Sequence, residues 1–349
     1  MIKMIADASL PDLSHLFPTS FQVTRFVDAR DLREQISDQD VLLCRSTLKV
    51  DADLLAESRI ACVATVSSGT DHISAGYVAQ RKIHVIDAKG TNASAVADYV
   101  VACLASLQQK GFGGQQAGVI GMGAVGTTVT TRLQELDFQV HGYDPLRAMQ
   151  DTQFSTCDLN ALLVCDLLCV HANLHDQVPY ASRHLLDATF LSQLKPGTVI
   201  INAARGGIVD ESALLACTQP LRYCTDVYVG EPNIRAEVIE YATLCTPHIA
   251  GHSIEAKRRA LQEVSQKIYH WFGLPAPILP HLAVQLPQRA PSTAWQANIL
   301  SLYNPEHETQ ILKKARDLPK EFLALRAAHQ GRHDFNCYVW LNGDKILGV

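Results

Sequence analysis

The sequence predicts an α/β protein with two doubly wound parallel sheets, and three observations support that prediction. Short apolar runs alternate with helix-like segments twice along the chain, first over residues 1–87 and again over residues 117–248. A glycine-rich loop joins the first strand and the first helix of the second series. The 349 residues, 47% of them hydrophobic, suffice for two or three cores.

The first series predicts a flavodoxin-like substrate domain that is interrupted in sequence. Its apolar runs, such as IKMIAD, DVLLCRS and ACVATVSS, are typical of strands on a parallel sheet. An apolar helix over residues 92–109 would lead out of this domain, and a second long helix over residues 253–272 would lead back. We therefore assign residues 1–91 and 255–280 to the substrate domain and residues 92–254 to a Rossmann cofactor domain.

The C-terminal part of the chain predicts a third, smaller unit. Residues 274–291, LPAPILPHLAVQLPQRAP, are rich in proline, which opposes regular structure and is typical of a linker. Residues 285–349 would then form a small α+β domain.

The glycine-rich loop carries the G-x-G-x-x-G pattern as Gly121, Gly123 and Gly126, with Ala124 and Val125 between the last two. It follows the strand-like AGVI and opens the helix-like VGTTVTTRLQEL, which is the context of a dinucleotide-binding loop. The glycines permit a tight turn, the approach of a pyrophosphate and close packing of helix on strand.

An acidic residue follows the glycine loop where the adenosine ribose of a dinucleotide would lie. Asp144 ends the next strand-like run, 23 residues after Gly121. A carboxylate at this position repels a 2′-phosphate, so the sequence predicts NAD rather than NADP, although Arg147 lies only three residues further on.

Three polar groups at the ends of apolar strands predict the chemistry. Arg205 follows VIINAA, Glu231 lies five residues after Asp226, and His248 follows TLCT. The carboxyl ends of strands are where open α/β sheets place ligands. Arginine can hold a carboxylate with two hydrogen bonds, histidine can carry a proton near neutral pH, and a neighbouring carboxylate can stabilise the imidazolium. Together they predict hydride transfer to or from a 2-hydroxy acid.

Composition argues against other classes of partner. The net charge of -5 is spread without long blocks of one sign, so we expect no nucleic-acid partner, and no apolar run is long enough to cross a membrane. We expect a cytoplasmic protein. The ten cysteines form no CxxC pair, and the pairs His171/His175 and His248/His252 lack the HExxH pattern, so we assign no metal.

Four segments in order, GVIGMGAVG, INAARGGIVDESALL, DVYVGEP and TPHIAGHS, resemble the D-2-hydroxyacid dehydrogenase family. The resemblance spans nearly all of residues 40–270. It implies that Arg205, Glu231 and His248 are catalytic. Beyond the glycine loop, it implies cofactor contacts at Asp144, Ala172, Ala203, Ala204, Arg205, Asp226 and Gly251. The family usually has threonine where this chain has Ala172, so one hydroxyl contact is missing.

Further segments resemble members of the family that act on a phosphorylated hydroxy acid in the formation of pyridoxal phosphate. They are CRSTLKV, VSSGTDH and a tail that includes ILKKARDLPKEFLALRAAH and FNCYVW. This resemblance implies a homodimer held by the tail, and substrate contacts at Ser46, Ser67 and His252, the last in place of a tyrosine. Independently, Arg45, Ser46 and Lys49 form a cationic cluster suited to a phosphate.

Two alternatives stay open. The substrate could be another D-2-hydroxy acid, such as phosphoglycerate, glycerate or lactate. The chain could also be a non-catalytic NAD(H) sensor or corepressor on the same fold. The presence of Arg205, Glu231 and His248 together favours an enzyme, because a sensor needs no proton carrier.

Overall fold

The computed structural model describes residues 1–278 and 294–338, and the chain divides into two compact units. The first unit consists of Met1–Asn92 and Glu255–Gln285, and the second of Ala93–Ile254 and Leu286–Val349. The tail, which the sequence analysis treats as a third domain, is grouped with the second unit. The physical reason is that its apolar side chains, among them Ile299 and Phe322, belong to that unit's core clusters.

The first unit contains a five-stranded parallel sheet with the strand order β2-β1-β3-β4-β5. Its strands are β1 (Ile2–Asp7), β2 (Phe21–Phe26), β3 (Val41–Cys44), β4 (Cys62–Thr65) and β5 (His84–Ile86). This order is that of a flavodoxin-like sheet. The short strands β3 and β4 are buried along their whole length, as strands of a parallel sheet covered by helices must be.

Five helices in the described part of this unit cover the sheet. They are α1 (Leu13–Leu16), α2 (Ala29–Gln35), α3 (Ala52–Leu55), α4 (Ala75–Gln80) and the returning helix α11 (Ile254–Trp271). Helix α11 buries a stripe of residues that includes Leu261, Val264 and Ile268 against the first unit's core. Their helical spacing leaves the remaining face of α11 to charged side chains.

The second unit contains a six-stranded parallel sheet with the order β11-β10-β9-β8-β6-β7. Its strands are β6 (Gln116–Ile120), β7 (Gln139–Tyr143), β8 (Leu167–Val170), β9 (Val199–Asn202), β10 (Arg222–Thr225) and β11 (Leu244–Cys245). The order reverses between β6 and β8, so ligands are expected at the carboxyl ends near that reversal. The two doubly wound parallel sheets confirm the predicted fold class.

Six helices that the structure describes in the second unit precede or connect these strands. They are α5 (Ala93–Gln109), α6 (Ala124–Gln134), α7 (Pro145–Gln150), α8 (Ala188–Gln193), α9 (Glu211–Ala216) and α10 (Ala236–Tyr241). Side chains alternate between the two faces of the sheet: Val199 and Ile201 of β9 join one core cluster, and Ile200 joins the other. Helix α5 is buried almost all round, which explains its predominantly apolar sequence.

The described tail residues are helical. They form α12 (Trp295–Leu302), α13 (Glu306–Lys313), α14 (Leu318–Ala328) and a short 3-10 helix at Phe335–Cys337. Within 294–338 the structure has no strand. The end of the predicted α+β domain, including Val339 and Trp340 of FNCYVW, lies outside the described residues, as does most of the proline-rich stretch.

Within residues 1–278 and 294–338, none of the helices combines the length and the apolar character that crossing a bilayer requires.

Candidate active site

The glycine loop connects β6 to α6, and two of its glycines are required by packing inside the protein. Gly121 has a φ of 88°, and a Cβ there would collide with the backbone of Ala172. A Cβ on Gly126 would collide with the carbonyl oxygen of Gly121. Strand, loop and helix therefore lie as close together as the sequence pattern predicts.

The middle glycine of the loop has a different environment. Gly123 is the N-cap of α6 with an ordinary φ of −72°, and a Cβ added there would meet nothing within 4 Å. Neither backbone conformation nor internal packing requires glycine at this position. The open space lies before the N-terminus of an eleven-residue helix, where backbone N–H groups favour an anion. This arrangement fits the pyrophosphate of a dinucleotide.

Asp144 lies directly after β7 and is linked to the glycine loop. Its Oδ2 accepts a hydrogen bond from the backbone N–H of Met122 at 2.8 Å, and its Oδ1 accepts from that of Arg147 at 2.9 Å. A carboxylate has about four acceptor sites, so capacity remains for ribose hydroxyls. The Arg147 guanidinium donates to the Met122 carbonyl at 2.6 Å and lies 4.4 Å from the centre of the Phe154 ring.

The remaining predicted cofactor residues also lie at the carboxyl end of the second sheet. Ala172 follows β8, and Ala203 and Ala204 follow β9. Gly251 belongs to the segment after β11. Ala124 and Val125 form the exposed to half-exposed first turn of α6.

Arg205 lies in a tight loop after β9. The buried Asn202 at the end of that strand donates to the Arg205 carbonyl at 3.1 Å and accepts from the backbone of Ala204 at 3.2 Å. The Arg205 guanidinium donates to the Ala204 carbonyl at 2.7 Å. Gly206 lets this loop touch the neighbouring one, because a Cβ there would collide with the backbone of Tyr228.

Glu231 and His248 form a direct pair. The Glu231 Oε2 lies 2.6 Å from the His248 Nδ1, and the Glu231 Oε1 accepts from the backbone N–H of Tyr228 at 2.9 Å. The Glu231 side chain is 19% exposed and that of His248 is 33% exposed. An ionised carboxylate only accepts hydrogen bonds, so Nδ1 carries the hydrogen and Nε2 is left to exchange a proton with a substrate.

The surroundings of Glu231 shift the pKa of its carboxyl. Burial raises the pKa of the Glu231 carboxyl. The hydrogen bond and the positive charge of His248 lower this pKa by more than burial raises it, so the net pKa lies below the ordinary value. Glu231 is therefore ionised at neutral pH and can accept the hydrogen bond from the His248 Nδ1.

Asp226 faces the interior of the second unit. Its carboxylate accepts from the Thr246 hydroxyl at 2.7 Å and from the backbone N–H groups of Ile249 and Ala250, each at 2.8 Å. Burial raises the pKa of this carboxyl. These bonds hold the segment that contains His248. The backbone of His248 has a φ of 56°, a left-handed conformation that residues other than glycine rarely adopt. Asp226, a predicted cofactor contact, is thus bonded to the segment 246–254, which we call the histidine loop.

Two residues that shape the site were missed by sequence reasoning. Asn202 orders the Arg205 loop, and its only signal was a polar residue at the end of the apolar run VIIN. The buried Glu211 on α9 accepts from the backbone N–H of Val229 at 2.9 Å, and burial raises the pKa of its carboxyl. In sequence, Glu211 is merely an acidic residue in the first turn of a helix, after the capping Asp210.

The predicted phosphate-binding residues lie at the carboxyl ends of β3 and β4 in the first unit. The backbone N–H of Ser46 donates to the Ser67 hydroxyl at 3.1 Å, so these two residues are adjacent. Arg45 pairs with Asp7 at 2.8 Å, and the exposed Lys49 pairs with Asp51 at 2.8 Å. Both cations are thus balanced by acids of their own unit, which the sequence analysis did not foresee.

The other histidines have separate surroundings. His252 follows His248 by four residues, and its backbone carbonyl accepts from Arg332 at 2.9 Å. Burial lowers the pKa of His171 to about 3, so this ring is neutral. Among the residues that the structure describes, no group of three or more His, Cys, Asp or Glu side chains is arranged to hold a metal ion.

A doubly wound sheet with a glycine loop, an acidic residue at the end of the next strand and a histidine–carboxylate pair is typical of a nicotinamide-dependent dehydrogenase. The profile of the family described as "D-isomer specific 2-hydroxyacid dehydrogenase, NAD binding domain" matches residues 90–250. Together with curated relatives up to 50% identical over 97% of the chain, this match shows that the chain belongs to this family and is an NAD-dependent dehydrogenase.

Curated relatives share nearly the whole length of the chain. A Legionella pneumophila (strain Lens) protein named erythronate-4-phosphate dehydrogenase is 50% identical over 339 residues, covering 97% of this chain and 96% of its own. A Coxiella burnetii (strain RSA 331) protein of the same name is 33% identical over 345 residues, covering 96% of this chain and 94% of its own.

Solved structures of lower identity share the fold. NAD-bound 3-phosphoglycerate dehydrogenase of Entamoeba histolytica superposes with a TM-score of 0.66 at 21% identity, covering 78% of this chain and 95% of its own. NAD-dependent formate dehydrogenase of Staphylococcus aureus gives 0.61 at 21% identity, covering 78% and 96%. About a fifth of this chain therefore has no counterpart in these two enzymes.

Proposed function

We propose that the chain oxidises 4-phospho-D-erythronate to 3-hydroxy-2-oxo-4-phosphobutanoate with NAD, in pyridoxal 5′-phosphate biosynthesis. The observation that supports this most strongly is the 2.6 Å pair of Glu231 and His248 at the carboxyl end of the NAD-binding sheet. The name of the near full-length relatives supports the choice of substrate.

His248 acts as the general base in this proposal. Its Nε2 accepts the proton of the C2 hydroxyl, and Glu231 stabilises the imidazolium that forms. NAD, when bound, supplies the acceptor for the hydride that leaves C2. The C2–O bond becomes a carbonyl, so the 2-hydroxy acid loses two electrons and two hydrogens in all.

Arg205 is the proposed clamp for the substrate carboxylate. A guanidinium can donate two parallel hydrogen bonds to a carboxylate, which orients C2 as well as binding it. The hydrogen bonds from Asn202 and within the Ala204–Gly206 loop hold the Arg205 backbone in place, which supports this role. For the 4-phosphate we propose Arg45, Ser46, Lys49 and Ser67, with His252 as a further contact.

The cofactor contacts are proposals of the same kind. Gly121, Gly123 and Gly126 would receive the pyrophosphate, and Asp144 the adenosine ribose. The open space at Gly123 and the spare acceptor capacity of Asp144 support this assignment.

A substrate panel tests the proposed reaction. Purified protein with NAD is given 4-phospho-D-erythronate, D-3-phosphoglycerate, D-glycerate or D-lactate, and NADH fluorescence is followed. We expect the largest kcat/KM for 4-phospho-D-erythronate. A higher value for another acid moves the substrate assignment to that acid, and tight NADH binding without turnover of any acid favours an NAD(H) sensor.

We also propose that the protein is a cytoplasmic homodimer with the tail at its interface. All ten cysteines are unpaired, which supports a reducing compartment. Helix α14 leaves Leu323 half exposed, which supports a further contact on the tail. Sedimentation velocity at micromolar concentration is expected to give twice the chain mass of 38.2 kDa, and a monomer would contradict the proposal.

A further inference from the structure

Arg332 is a buried cation in the C-terminal tail, between α14 and the 3-10 helix at Phe335–Cys337. The residue is only 7% exposed. Its Nη2 donates to the backbone carbonyls of Ala250 at 2.5 Å and Ala95 at 3.1 Å, and its Nε donates to that of His252 at 2.9 Å. One guanidinium thus bridges three carbonyls that lie far away in sequence.

Two of those three carbonyls belong to the segment that carries His248. Ala250 and His252 follow it by two and four residues. The backbone continues the connection, because the N–H of Ile254 donates to the Arg332 carbonyl at 2.9 Å. The tail is therefore bonded to the histidine loop at Ala250, His252 and Ile254.

The histidine loop needs such support. His248 has a φ of 56°, a conformation that persists in a residue other than glycine only when its surroundings hold it. Asp226 accepts from the backbone N–H of Ala250, and Arg332 donates to the carbonyl of the same residue. Ala250 is thus held on one side by a buried carboxyl group and on the other by a buried guanidinium.

The buried charge of Arg332 has further partners besides the three carbonyls. Its guanidinium lies 4.9 Å from the centre of the Tyr303 ring, a cation–π contact. The buried carboxyl of Asp98 interacts electrostatically with the charges of Arg332, Arg132 and Asp334. A buried cation is an expensive way to fill space, since an apolar side chain of similar volume avoids the desolvation penalty. Its planar fork of donors is what an apolar side chain cannot replace.

We propose that Arg332 is a positioning residue for proton transfer: it holds the Ala250 and His252 carbonyls so that the imidazole of His248 stays in register with Glu231. This inference rests on the proposed function, because it assumes that His248 carries the proton. It assigns to the tail a role in catalysis besides any role in assembly.

The test compares Arg332→Lys and Arg332→Met with Arg316→Met, a change at an exposed arginine of the same tail. Each variant is assayed for kcat, KM, NADH affinity and Tm. A lysine keeps the charge but cannot bridge three carbonyls. Because small misplacements of a catalytic group can cost on the order of 100-fold in rate, we expect kcat to fall about 10-fold in the lysine variant and about 100-fold in the methionine variant. NADH affinity is expected to stay within about 3-fold.

Each other outcome overturns the inference. A lysine variant with the parent kcat shows that the bridge is not needed for turnover. Parallel losses of Tm, NADH affinity and kcat show a purely structural role, and a lysine variant that fails to fold shows the same. If only the methionine variant fails to fold, the lysine variant decides. Equal losses in Arg316→Met would also contradict a specific role of Arg332.

His248→Asn in the same assay separates this inference from the proposed function. If His248→Asn keeps its turnover, the proposed proton carrier is wrong and the inference falls with it. If His248→Asn is inactive while Arg332→Lys has the parent kcat, the proposed function stands and only the positioning role of Arg332 is overturned.

Discussion

His248 and Glu231 are 17 residues apart in sequence, yet their side chains meet at 2.6 Å between Nδ1 and Oε2. Each is held separately. Glu231 accepts from the backbone of Tyr228, and the segment that carries His248 is bonded to Asp226 through Ile249 and Ala250. The protein's own contacts therefore hold both members of the pair, and such preorganisation lowers the cost of orienting a catalytic base.

The charge of Glu231 is the first quantity to test. Glu231→Gln keeps the shape of the side chain but removes the anion that stabilises the imidazolium. We expect kcat/KM to fall about 100-fold, within the range for general acid–base catalysis. Glu237→Gln on α10, 67% exposed in its side chain, is the matched control and is expected to leave kcat/KM unchanged. Parent activity in Glu231→Gln would remove Glu231 from the mechanism.

The substitution Arg205→Lys tests whether the planar guanidinium of Arg205 binds the substrate carboxylate. Arg205→Lys keeps the positive charge but loses the two-pronged contact with a carboxylate, so we expect KM for the hydroxy acid to rise and kcat/KM to fall about 100-fold. NADH affinity, measured by fluorescence titration, should be unaffected. Arg235→Lys, at the N-cap of α10, is the control. An unchanged KM in Arg205→Lys would show that another group binds the carboxylate.

The glycine loop offers a matched pair of variants. Gly123→Ala places a methyl group in open space with an ordinary φ, so we expect a normal Tm and an NADH dissociation constant at least about 10-fold higher. Gly121→Ala must adopt a φ of 88° and collides with the Ala172 backbone, so we expect destabilisation by about 1–3 kcal/mol or more. Unchanged NADH affinity in a folded Gly123→Ala protein would contradict the cofactor assignment.

The raised pKa of the buried Asp98 carboxyl leads us to expect a specific dependence of stability on pH. Burial raises the pKa of its carboxyl to about 7, despite the hydrogen bond from the Phe335 backbone and the charges of Arg132 and Arg332, and Asp334 raises it too. Between about pH 4 and 7 the folded protein thus binds this proton more tightly than the unfolded chain does. The resulting stability is complete below the ordinary pKa of about 3.9 and is lost as the pH rises through about 7.

Measurements of the free energy of unfolding between pH 5 and 8 test this linkage. Asp98→Asn removes the proton linkage, so stability should fall less steeply with pH than in the parent. The difference in slope is at most about 1.4 kcal/mol per pH unit, the value for one proton. Glu240→Gln, an exposed change, should leave the slope alone. Identical slopes in the parent and in Asp98→Asn would contradict the assigned protonation.

Much of the fold was predictable because its signals are local. Apolar strands such as VLLC and VIIN, and the glycine spacing at Gly121, Gly123 and Gly126, each depend on a few neighbouring residues. Arg205, Glu231 and His248 could be proposed as a group because each follows an apolar strand, and parallel strands gather such ends at one edge of a sheet. A residue's partner across the sheet is not encoded locally.

The contacts that sequence reasoning missed are long-range. Nothing near Asp226 indicates that both its oxygens are bonded to the histidine loop, and nothing near Arg332 indicates a contact with Ala250, 82 residues earlier. The pairing of Lys49 with Asp51 spans only two residues but depends on the conformation of the turn between them. Such contacts depend on how distant segments, or turns, are placed by the whole fold, which a single sequence does not show.

The proton-carrying role of His248 is tested most directly by His248→Asn, because asparagine tolerates the left-handed backbone that this position requires. The measurement is kcat for oxidation of 4-phospho-D-erythronate beside the NADH dissociation constant of the same preparation. We expect kcat to fall at least about 1,000-fold while the dissociation constant stays within about 3-fold. A kcat within about tenfold of the parent value would show that His248 does not carry the proton.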